Sequence, residues 1–114
     1  MSLVGSNNEE KIWNYFKSKG LNDYGISGIM GNLYAESGLM PNNLQNTGNN
    51  KLGMTDDEYV ASVDNNIYSK DKFIYDSQGF GLAQWTYWSK KKSLYEFVKS
   101  KNKSIGDLEL QLEF

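Results

Sequence analysis

A chain of 114 residues with a formal net charge of −2 is long enough for one hydrophobic core and too short for two. It contains no cysteine, histidine or arginine, which excludes thiolate chemistry, zinc sites of the usual ligand set, Ser-His-Asp catalysis and bidentate clamping of phosphates or bases. Catalysis must then come from carboxylates helped by hydroxyls, amides and lysines, and no nucleic-acid partner is expected. No apolar run is long enough to cross a membrane, so no membrane insertion is expected either.

The first predicted helix starts at a capping box, Ser6 with Glu9, ahead of Ile12, Trp13 and Phe16. Asn22 or Asp23 opens the second, which Gly38 and Pro41 stop. Met40 to Met54, rich in Asn and Gly, reads as turns and short irregular hairpins. Thr55 with Glu58 makes another box ahead of Tyr59, Val60, Val63 and Ile67, and the acids Asp56, Asp57 and Glu58 suit the positive end of that helix. Asp64 is expected on its exposed face, and Asp71 in a polar turn between Lys70 and Lys72. Asp71 to Thr86 resists helix formation and reads as a short strand pair or a loop across the mouth of a cleft. A helix follows from Trp88 to Ser100 with Leu94, Phe97 and Val98 inward and the Lys90–Lys92 run on its solvated face. Ser104 with Asp107 begins the last, carrying Ile105, Leu108 and Leu112.

The expected fold class is therefore α+β, mainly α, with about five helices and a small β or loop element beside a substrate cleft. One domain is expected over residues 1–114, with Met1-Ser2-Leu3 compatible with an expression leader. Ser104 to Phe114 reads as a helix still in progress, so further protein, including further domains, is expected after it.

Within the second helix Ile26, Ile29, Met30 and Leu33 recur at helical spacing, and three residues on from Leu33 comes Glu36. That register places an acid on the packed stripe, in the last turn, at the negative end of the helix dipole. Partial burial and the dipole both disfavour the ionised carboxylate, and an acid that keeps its proton can protonate a leaving glycosidic oxygen. The alternative is a glutamate reaching solvent from a frayed helix end. The second segment with chemical content is Gly79-Phe80-Gly81-Leu82-Ala83-Gln84-Trp85. Its glycines allow close backbone approach, Gln84 offers a donor and an acceptor, and Tyr75, Phe80, Trp85, Tyr87 and Trp88 surround it with flat surfaces suited to pyranose rings or to a core.

Together, Gly31-Asn32-Leu33-Tyr34-Ala35-Glu36-Ser37-Gly38-Leu39 and Gly81-Leu82-Ala83-Gln84 resemble the two signatures of the lysozyme-like superfamily, a helix ending in Glu-Ser-Gly and a later Gly-Leu-x-Gln turn. Trp85 after the glutamine is most similar to the phage tail lysozyme family, related to goose-type lysozymes and lytic transglycosylases. The resemblance implies a lysozyme-like fold, no cofactor or metal, and bacterial peptidoglycan as substrate, met outside the cell or from a virion or endolysin. It implies Glu36 as general acid, Ser37 as a positioning hydroxyl and Gln84 as a contact to the glycan strand. Tyr75, Phe80, Trp85 and Tyr87 then read as further substrate contacts. Asp76, five residues before Gly81, matches an acid that holds the attacking water, or simply begins an Asx turn. Thr86 stands where goose-type enzymes carry a second acid, and can orient a water without acting as a base. The expected reaction is hydrolysis of the bond from N-acetylmuramic acid to N-acetylglucosamine. The alternatives are transglycosylation to a 1,6-anhydro product and a silent wall-binding module.

Overall fold

The computed structural model describes residues 3–114; what was expected of Met1 and Ser2 lies outside the described residues. Among the described residues seven helices follow one another: α1 (Asn8–Ser18), α2 (Asp23–Ser37), α3 (Asn46–Leu52), α4 (Asp56–Asp64), α5 (Lys70–Tyr75), α6 (Trp88–Ser100) and α7 (Leu108–Glu113). Among the described residues there is no strand, only the isolated antiparallel bridges Leu44 to Phe80 and Phe80 to Trp85. The expected mainly α character holds, while the α+β detail and the number five are corrected, since the described residues form seven helices and no strand.

The two additional helices lie where turns and extended chain were expected. α5 is capped by Ser69, whose hydroxyl accepts from the Lys72 N–H, and buries Phe73 and Ile74. At six residues it is too short to show a helical period in the sequence. α3 has almost no apolar residue and no side-chain N-cap; its helix is held from outside. A Cβ on its buried Gly48 would stand 3.1 Å from the side chains of both Gln78 and Leu44, so this turn of helix lies close against them.

Several caps behave as read. Asn22 Oδ1 accepts from the Gly25 N–H at 2.8 Å, and Thr55 and Glu58 complete their reciprocal box. At α1 the box is shifted by one residue: Asn7 caps the Glu10 N–H, and the Glu10 carboxylate reaches back to Ser6. Ser104 caps nothing at α7, which Asp107 caps instead. Asp64, expected to be exposed, is half-buried and accepts from Ser104 Oγ at 2.5 Å and the Ile105 N–H at 2.8 Å. Ile67, expected in the core, is exposed.

The core has two parts. The larger joins Leu44, Tyr59, Val63, Phe73, Ile74, Phe80, Leu94, Tyr95, Val98, Ile105 and Leu110, and so gathers α4, α5, α6 and α7. The smaller joins Ile12 of α1, Leu39 after α2 and Leu82, with Phe16, Met30, Leu33, Leu108 and Leu112 packed against it. Leu82 belongs to the glycine-flanked turn, so that turn is seated by apolar burial beside the end of α2.

Candidate functional site

Glu36 lies in the last turn of α2, which Gly38 ends in the left-handed conformation at φ 63°. Its side chain is exposed, against the expectation of partial burial. The reason is angular. At about 100° per residue, Ile26, Met30, Leu33 and Ser37 define the inward direction, and Glu36 stands about 90° round the helix from it. Ser37 continues the buried stripe in its place. Its hydroxyl, expected to position the sugar, donates to the Leu33 carbonyl at 3.0 Å and so turns into its own helix.

One asparagine joins the two motifs. Asn43 Nδ2 donates to the Ser37 carbonyl at 2.9 Å, capping the end of α2. The Asn43 carbonyl accepts from Gln84 Nε2 and from the Gly81 N–H, each at 2.9 Å. Gln84 Nε2 also donates to the Gly81 carbonyl at 3.0 Å, which employs both protons of its amide. Gln84 is therefore first a clasp of the turn, and Oε1 is what remains of it for a substrate donor. The turn itself closes through Phe80 and Trp85, whose N–H groups each donate to the other's carbonyl. Gly81 has φ 85°, and a Cβ there would meet Gln111 Oε1 and the Trp85 ring at 2.8 Å.

Gln111 gave no signal of its own in the sequence. It is buried on α7, accepts from the Leu82 N–H at 2.9 Å, and donates to the carbonyls of Pro41 and Ile105 at 2.7 and 2.9 Å. It thus ties the turn to the chain that leaves α2.

Asp76 ends α5 and is nearly buried. Its Oδ2 accepts from the hydroxyls of Tyr59 and Tyr68 at 2.6 and 2.9 Å; its Oδ1 accepts from the Gln78 N–H at 2.9 Å and from Lys91 Nζ at 2.5 Å. A carboxylate has about four lone-pair directions, and all are taken. In this arrangement Asp76, expected to hold an attacking water, is the acid of a buried ion pair with its lone-pair directions engaged within the fold. Lys91, expected on a solvated face, has no exposed surface: Nζ also donates to the Gln78 carbonyl at 2.9 Å and to Tyr59 OH at 3.2 Å, and lies 4.3 Å from the centre of the Phe73 ring. The sequence does carry a sign of this, because Lys91 shares helical spacing with buried Leu94, Tyr95 and Val98. Burial pushes the Lys91 ammonium below its ordinary range while Asp76 holds it up. Burial and then Asp76 push the Tyr59 and Tyr68 phenols above theirs.

The aromatics divide into two groups. Phe80, expected as a substrate contact, is wholly buried and packed on Tyr59 and Phe73 in the core. Trp85 is half-buried, edge-on to Phe114 at 5.4 Å. Tyr75 and Tyr87 stay exposed, at 63% and 65%, with Trp88 at 44% between them. Tyr75 stacks on Trp88 with ring centres 6.1 Å apart and planes 28° apart, and Tyr87 lies 6.0 Å from the same indole. Thr86 is exposed next to them, its hydroxyl donating to the Gln84 carbonyl. A cavity of about 680 Å³ between α1 and α2, lined by Asn7, Glu9, Glu10, Trp13, Asn14, Ser27 and Met30, contains none of these residues.

A family model described as phage tail lysozyme matches residues 7–114. No curated protein and no solved structure matches the chain.

Proposed function

The chain belongs to the phage tail lysozyme family, whose action is on the bacterial cell wall, and from that premise we propose that it cleaves the glycan strand of peptidoglycan with Glu36 as general acid. The bond broken in this reading runs from N-acetylmuramic acid to N-acetylglucosamine. One observation carries it: Glu36 is the free, exposed acid at a helix end that Asn43 ties directly to the Gly81–Gln84 turn. The glycan lies across that junction, accepting the Glu36 proton at its bridging oxygen and donating to Gln84 Oε1. Because Glu36 is open to water in the free protein, it is the strand itself that excludes solvent from the carboxyl when it binds. Tyr75 and Tyr87 supply stacking surfaces for flanking sugars, and Thr86 a hydroxyl.

A second reading is favoured by the saturation of Asp76. With no dedicated carboxylate to orient water, Glu36 takes the proton from the muramic acid's own 6-hydroxyl after donating its first, and a 1,6-anhydro product results. Digestion of purified walls followed by product masses separates the two, since the anhydro product lacks one water. Glu36→Gln is expected to lose about 10²–10⁴-fold in rate while still binding walls. Parent-like turnover by that variant refutes the assignment, and a parent domain that binds walls without cleaving them identifies a silent binding module.

A further inference from the structure

The buried ion pair lies one step inside the exposed aromatics. Tyr75 precedes Asp76 at the end of α5, and Trp88 stands one helical turn before Lys91 on α6. The same two helices that Asp76 and Lys91 pin together beneath the surface carry the stacked pair above it. Beside that pair opens a hollow of about 380 Å³ lined by Tyr68, Asp71, Lys72, Tyr75 and Asp76. Asp71 and Lys72 are exposed there, an acceptor and a donor next to an aromatic face. A flat apolar surface rimmed by a carboxylate and an ammonium suits one face of a pyranose ring and its outlying hydroxyl or acetamido groups.

We propose that the Asp76–Lys91 pair is a positioning device for a sugar-binding surface formed by Tyr75, Trp88 and Tyr87, with Asp71 and Lys72 at its rim. The proposal rests on the reading that the domain takes a glycan strand. Stacking two rings on separate helices requires those helices to keep one spacing. Apolar contacts alone permit sliding, whereas an ammonium held by a carboxylate, a carbonyl and a phenol fixes both its distance and its direction. Lys91 and Asp76 act through Tyr75 and Trp88, without touching the sugar.

The test is calorimetric titration of a soluble chitin oligosaccharide into Glu36→Gln protein, which removes cleavage from the measurement. Lys91→Met and Trp88→Ala are each expected to weaken binding about tenfold, and their combination no more than Trp88→Ala alone, since contacting residues that act as one unit are not additive. In Lys91→Met the Trp88 indole N–H resonance should move as it does in Tyr75→Leu, a signature that general destabilisation does not produce. Should Lys91→Met fail to fold, Asp76→Asn/Lys91→Met, which leaves no lone buried charge, is measured in its place. Parent-like affinity in these variants, multiplying effects, or no binding by the Glu36→Gln protein each overturns the inference. Failure of the general-acid reading is separate, because it shows as wall cleavage by Glu36→Gln while the binding results stand.

Discussion

Replacing Asp76 with asparagine removes one charge from a polar cluster whose ion pair is almost wholly enclosed. The side chain keeps an oxygen for Tyr59 and Tyr68, whose hydroxyls stand at 2.6 and 2.9 Å. Its new NH₂ group, however, faces Lys91 Nζ and the Gln78 N–H, donor against donor. The Lys91 ammonium, with no exposed surface, is left with only the Gln78 carbonyl and Tyr59 OH. Breaking a buried pair by removing one partner costs roughly 3–5 kcal/mol, against a total stability of about 5–15 kcal/mol for a domain of this kind. At about 4 °C per kcal/mol the melting temperature should fall by roughly 12–20 °C. Burial already depresses the Lys91 ammonium, so without its counter-charge it sheds its proton more readily, and the deficit should shrink as pH rises. Circular dichroism melts of parent and variant at two pH values, with wall cleavage assayed well below both midpoints, provide the measurement. A variant that melts within a few degrees of the parent yet has lost all activity would refute this reasoning and restore Asp76 as the base.

Gly81→Ala combines a positive φ of 85° with a Cβ only 2.8 Å from Gln111 Oε1 and the Trp85 ring, so it should lower stability by about 2–4 kcal/mol, read from the urea midpoint at unchanged slope. Gln111→Leu keeps the volume but strands the Leu82 N–H and the carbonyls of Pro41 and Ile105; a loss of about 2–4 kcal/mol is expected, with faster hydrogen exchange at the Leu82 amide. The Tyr59 and Tyr68 phenols, raised above 10.0 by burial and then by Asp76, give stability that is fully present below pH 10 and lost as pH rises beyond it, because the unfolded chain ionises first. Tyr59→Phe/Tyr68→Phe should therefore be less stable at neutral pH but show a shallower alkaline decline, measured as unfolding free energy between pH 9 and 11.

Local chemistry made much of this molecule legible from its residues. The caps at Asn22 and Thr55, the Gly38 stop and the full span of α6 depend on groups a few positions apart, and each was readable before any coordinate. The Glu36 and Gly81–Gln84 motifs identified the family for the same reason, as short runs of fixed composition. Register alone was a weaker guide. It placed Glu36 inward where Ser37 lies, because an acid on the flank of a stripe satisfies the same spacing as one at its centre. Applied to α6, the same spacing would have found Lys91.

What sequence by itself determined, then, is where helices α2, α4 and α6 start or stop, at one or both ends, and the family to which the chain belongs, since these follow from neighbours along the chain. Tertiary structure alone decided which polar groups are free to react. Asp76 is occupied by partners from Tyr59 to Lys91, Gln84 by the Asn43 carbonyl, and α3 is bonded to Gln78 and Asp56 outside it. A hydrogen bond saturates a group only when its partner arrives in space, and no local pattern records which partner that will be.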